Sequence, residues 1–110
     1  MKVPNAQNAV IEKEKTSSYL LNLEHKRGGS KAVLLYSLGY AADLWERLAE
    51  DIRRDHLTSD AIEIRETSWG KRYDVVAPLN GPSGDTLMFR SVWQIDLGLD
   101  YPRLITMYPE

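Results

Sequence analysis

From Glu12 to Leu23 apolar and small residues recur at helical spacing (Thr16, Tyr19, Leu20, Leu23), predicting a first helix. Before it, Pro4-Asn5 reads as a turn and Ala9-Val10-Ile11 as a short extended lead-in. A second helix is predicted over Lys31–Leu38, with Ser30 as N-cap and Gly39 in the C′ position. Ala32, Val33, Leu34, Leu35 and Leu38 make it apolar on most sides, so it is expected to be the most buried helix. A third helix runs from about Asp43 to His56, with Leu44, Trp45, Leu48 and Ile52 on one face. On its other face Glu50 and Arg54 stand at i,i+4 spacing.

After Asp60 the period changes to two. Ile62 and Ile64 alternate with Glu63 and Arg65, the pattern of a half-buried strand. Trp69-Gly70 is a turn and Tyr73–Ala77 a second strand. The turn-forming run Asn80-Gly81-Pro82-Ser83-Gly84-Asp85 joins it as a hairpin to a third strand, Thr86–Asp96. That strand sets Leu87, Phe89, Trp93 and Ile95 on one face and Arg90 on the other. A turn at Gly98-Leu99-Asp100 leads to a last strand, Arg103–Tyr108, on which Leu104, Thr106 and Tyr108 share a face. Helices first and strands afterwards predict an α+β domain, with N-terminal helices packed on one face of a four-stranded antiparallel meander. The other face is free to meet water.

Composition narrows this reading only a little. At 110 residues, 43% hydrophobic and 27% charged, the chain is expected to be a single globular domain spanning 1–110. No apolar run approaches the roughly 20 residues that span a bilayer, and MKVPNAQNAVIEKEK lacks the apolar segment of a signal peptide. The cytoplasm is therefore the expected location, with no membrane partner. Without cysteine there is neither a disulfide nor a thiolate metal site. A formal charge of −2 argues against a protein that tracks along a nucleic-acid backbone. The positive charge is local instead: His25, Lys26, Arg27 and Lys31 fall within seven residues around Gly28-Gly29.

That stretch carries the candidate chemistry. Gly28 and Gly29 can turn successive amides toward one point, and a helix starting at Ser30 adds the partial positive charge of its N-terminus. Lys31 opposes that dipole, which an anion bound there would explain; a solvated basic loop before a well-capped helix explains the same residues. His25 titrates near neutrality and suits proton transfer, or equally caps the end of the first helix. His56 has only the capping explanation. Thr106 and Tyr108 offer a hydroxyl and a phenol from one side of the last strand. Arg90 and Arg103 can reach a phosphate, or pair with Asp96 or Asp100. Trp45, Trp93 and Tyr73 read as core. No metal-ligand spacing, P-loop, dinucleotide fingerprint or nucleophile elbow occurs, so neither metal nor cofactor is expected.

LNLEHKRGGSKA and VWQIDLGLDYPRLITMYP together resemble a family of bacterial domains of unknown function, about this long. That family occurs as stand-alone proteins and at the ends of polymorphic toxins. Its pattern is close to L-N-P-E-H…G-x-S-K-A and P-R-L-x-T-x-Y-P, with Leu23 here in place of the usual proline, a change that would lengthen the first helix. More distantly the layout resembles metal-independent ribonuclease toxins of the barnase–EndoU–colicin–RelE type. That resemblance implies His25, Lys31, Thr106 and Tyr108 as catalytic residues. Gly28, Gly29, Ser30, Arg90 and Arg103 would bind phosphate. The function implied is an RNA-cleaving toxin domain with a cognate antitoxin. The other reading is a non-catalytic immunity or antitoxin-type module that binds a partner protein through its sheet.

Overall fold

The computed structural model describes residues 1–24 and 29–110. Its helices are α1, Gly29–Ser37, and α2, Trp45–Asp55. Its strands are β1, Ala61–Thr67; β2, Gly70–Asn80; β3, Thr86–Asp96; and β4, Arg103–Pro109. The strands pair antiparallel in the order β1-β2-β3-β4, so the meander expected after the helices is the sheet that forms.

Alternation divides the sheet into two faces. Tyr73, Val75, Ala77 and Leu79 of β2 lie opposite Trp93, Ser91, Phe89 and Leu87 of β3; of these eight, all but Leu87 are buried. Leu20, Leu35, Leu38, Leu48 and Ile52 close over that face from the helical side. The outer face is built in cross-strand rows: Arg72, Gln94 and Arg103; then Asp74, Val92 and Thr106; then Val76, Arg90 and Tyr108. It is less open to water than expected. Asp74 is buried beneath Arg65 and Arg90, whose Nη atoms approach its carboxylate at 2.7 and 2.8 Å.

Several local expectations are corrected. The first helix is a π-helical segment, Lys15–Leu20, and Leu23 does not prolong it. Helix α1 begins at Gly29, so Ser30 falls inside the first turn rather than at the cap. Val33 is exposed while Ala32 and Leu35, and Leu38 just past the helix, are buried, so α1 is not buried all round but presents an apolar side chain to water. Arg54 passes over Glu50 for Asp51 and Asp55, each at 2.8 Å, because buried Asp51 needs the compensation more than a solvated glutamate does. Ile62 and Ile64 are exposed, since β1 is an edge strand with an irregularity between Ala61 and Glu63. Leu104 does not share a face with Thr106 and Tyr108. A register shift where Trp93 pairs with Leu104 and Val92 with Thr106 leaves Ile105 unpaired, sending Leu104 inward and Thr106 and Tyr108 outward.

Candidate functional site

Two elements converge on the edge strand β4. The π-helical segment supplies Tyr19, the first turn of α1 supplies Lys31, and β4 supplies Thr106 and Tyr108. Lys31 Nζ donates to the Tyr19 hydroxyl at 2.5 Å and to Thr106 Oγ1 at 3.0 Å. The two hydroxyls lie 3.3 Å apart. The same ammonium stands 4.7 Å from the centre of the Tyr19 ring and 5.9 Å from that of Tyr108. Lys31, placed against its own helix dipole and partly exposed, is thus the hub of a hydroxyl cluster.

Among the described residues no carboxylate pairs with Lys31. Its partners are neutral, so its full charge is available to an anion. Tyr19 responds to that charge. Partial burial works to raise its phenol pKa, but the hydrogen bonds of Lys31 and Thr106 and the charges of Lys31 and Lys15 outweigh burial and lower it. On the helical side a cleft of about 350 Å³ is lined by Glu12, Glu14, Lys15, Ser18 and Tyr19. Its two glutamates disfavour an anion arriving from there.

Lys31, Thr106 and Tyr108, far apart in the chain, therefore meet. His25 and Gly28, with the neighbouring Lys26 and Arg27, lie outside the described residues, as does the side chain of Ser30. Gly29 is the first residue of α1. Arg90 sits beside Tyr108 in the outer-face register. It is held by Asp74 and by Glu110, whose Oε2 is 3.2 Å from its Nε, rather than by Asp96 or Asp100. Arg103 is bound to Asp96 at 2.7 Å and is two rows away from Tyr108, so it does not join the cluster. His56 ends α2 as expected, yet its ring is fully buried against Ser91 at 2.7 Å, away from the site. Tyr19 is the member that pattern reading missed, because a tyrosine at helical apolar spacing reads as core. Its one sequence signal was the pair of lysines, Lys15 and Lys31, that closes on it. Among the described residues no group of acidic or histidine side chains could hold a metal, and no helix is long and apolar enough to cross a membrane.

One solved structure similar to this chain belongs to the contact-dependent growth inhibition toxin–immunity protein complex from Klebsiella pneumoniae 342. It has a TM-score of 0.74 and 20% identity, covering 96% of each chain. At that identity the likeness is one of fold. Among curated proteins nothing matches. Residues 2–110 match the family described as a domain of unknown function, DUF6883, and the chain belongs to that family.

Proposed function

We propose that this domain is a metal-independent endoribonuclease of the toxin type, acting in the cytoplasm on single-stranded RNA and held in check by a cognate protein. The observation that carries the reading is the Lys31 ammonium fixed by Tyr19 and Thr106 and unpaired with any carboxylate among the described residues. The fold shared with a chain of a toxin–immunity complex supports it.

In the reaction the RNA's own 2′-hydroxyl attacks the adjacent phosphorus. The bond to the 5′-oxygen of the next nucleotide breaks, leaving a 2′,3′-cyclic phosphate and a free 5′-hydroxyl. His25, six residues before Lys31, takes the 2′-hydroxyl proton. Lys31 stabilises the charge that develops on the phosphoryl oxygens, with Thr106 and Tyr108 positioning the phosphate. Tyr19, its phenol acidified by Lys31, returns a proton to the departing 5′-oxygen.

Purified wild-type protein should convert an RNA oligonucleotide into products ending in a cyclic phosphate. Lys31→Ala should slow this by about 10²–10³, the usual loss on removing one oxyanion donor. The Lys31 side chain is only partly buried, so the melting temperature should hardly move. Intact RNA after prolonged incubation with wild-type protein would sink the reading.

One observation favours the non-catalytic alternative. Trp69 and Leu97, 70% and 73% exposed, meet at the turn end of the sheet, where the Leu97 amide bonds the Trp69 carbonyl at 3.0 Å. On that alternative Leu97→Asp would release a partner protein and Lys31→Ala would do nothing. Reversing Asp96 would be no test of that alternative, since it would break the ion pair with Arg103.

A further inference from the structure

The outer face continues beyond the Lys31 cluster. One strand row past Thr106 lie Arg72, Gln94 and Arg103, which with Ser68, Trp69, Asp96 and Leu97 line a groove of about 520 Å³. Two guanidinium groups against one carboxylate leave the groove net positive. Asp96 is committed to Arg103 through both of its oxygens, at 2.7 and 3.1 Å. Arg72 is different. Its Nε donates to Gln94 Oε1 at 2.8 Å, so a neutral amide orients it, and among the described residues no carboxylate takes its charge. Gln94 is itself buried and donates to Asp96, so the row is built and rigid rather than a chance meeting of surface chains. The same groove is lined by Trp69, an indole far more exposed than such a residue needs to be for folding.

We infer that this groove is a subsite for one unpaired nucleobase and its phosphate, flanking the bond that the Lys31 cluster cleaves. The exposed indole of Trp69 supplies a stacking face, which single-strand binders use without needing base pairing. Arg72 supplies a cation already oriented for phosphate. Spacing favours the same ligand: at about 3.3 Å per residue, the Arg72–Gln94–Arg103 row lies roughly 7 Å from the Thr106 row and 13 Å from the Tyr108 row. One or two nucleotides of an extended strand cover that distance. The inference rests on the reading of the Lys31 cluster as the cleavage site, but its binding claim can be measured apart from cleavage.

The experiment uses the full chain and a panel of single-stranded hexanucleotides. Steady-state cleavage is measured for wild type, Trp69→Ala, Trp69→Phe and Arg72→Gln. Binding is followed in parallel by tryptophan quenching and anisotropy of labelled RNA on Lys31→Ala protein. The expected result is a KM raised about tenfold or more by Trp69→Ala, the scale of one lost base stack. kcat should stay within about twofold, with most of the affinity regained in Trp69→Phe and a smaller rise in Arg72→Gln. Wild-type cleavage with KM unchanged in both Trp69→Ala and Arg72→Gln would overturn the subsite and leave the cleavage reading standing. RNA binding that Trp69→Ala abolishes, without cleavage by wild type, would sustain the subsite and sink the cleavage reading. Loss of a copurifying protein from Trp69→Ala with RNA affinity unchanged would show that the groove docks a protein, and would overturn the proposal.

Discussion

His56 is the residue whose burial should be felt in bulk measurements. Its Nδ1 is 2.7 Å from Ser91 Oγ, which also accepts from Trp93 Nε1 at 2.9 Å, while Nε2 is buried and finds no hydrogen-bond partner among the described residues. Burial drives its pKa down to about 4, only partly opposed by the charge of Asp55 and the Ala77 backbone. The unfolded imidazole, near 6.5, takes up a proton before the folded one does. Its contribution is therefore complete above pH 6.5 and is lost as pH falls from there toward 4, about 3 kcal/mol in all. Asp55 and Asp96, held below the usual carboxylate range chiefly by hydrogen bonds from Arg54 and Arg103, lose theirs in a lower window, below about pH 4. Urea midpoints should drop between pH 7 and pH 4.5 for wild type and stay flatter for His56→Gln. A wild-type midpoint constant across that interval would contradict the buried neutral imidazole.

At the scale of elements, the question is what holds Lys31 where it is. Helix α1 is clamped at its far end. The Leu38 carbonyl accepts from the Ser83 amide at 2.9 Å in the β2–β3 turn, and a Cβ on Gly81 would come within 2.3 Å of that same oxygen. Gly39 closes the helix at φ +98°, a conformation that favours glycine. Gly81→Ala should therefore push α1 off the turn. The expected cost is about 1–3 kcal/mol, or a melting temperature lower by roughly 4 °C or more, with Lys31 displaced and cleavage reduced. Gly84→Ala faces open space, so it strains only its own backbone at φ +90° and should leave cleavage intact. Equal cleavage by the two variants would show that the turn does not position α1. Much of this framework was legible beforehand. The turn residues at 80–85 and the apolar run of β3 announce the central hairpin, and Gly39 announces the end of α1. What escaped depends on partners that local composition does not carry. The register shift at Ile105, which reverses Leu104 against Thr106, is set by pairing with β3. The exposure of Ile62 and Ile64 follows from β1 lying at the edge, a property of strand order rather than of the strand. Arg54 chose Asp51 because the fold buries that carboxylate.

Over the whole molecule the charge pattern decides how RNA is held. Sixteen acidic residues against fourteen basic ones make the molecule as a whole repel a polyanion slightly. Most outer-face arginines are already matched: Arg65 by Glu63 and Asp74, Arg90 by Asp74 and Glu110, Arg103 by Asp96. Among the described residues of this face and its β4 edge, Lys31 and Arg72 stand without a carboxylate, and with Arg90, if its Glu110 contact yields, they are left to meet phosphates. Two to three such contacts give a log–log salt slope of about −1.4 to −2.1, at about −0.7 per phosphate for a single strand. Raising salt from 50 to 200 mM should then weaken hexanucleotide binding by roughly 7- to 18-fold, against the 10³–10⁵ lost by proteins that grip six to ten phosphates. The measurement is a salt titration of labelled RNA on Arg72→Gln and wild-type protein, with the substitution expected to flatten the slope by a little under one unit. A steep slope shared by both would mean that RNA spreads over the basic residues elsewhere on the surface, and that the outer sheet face is not where it binds.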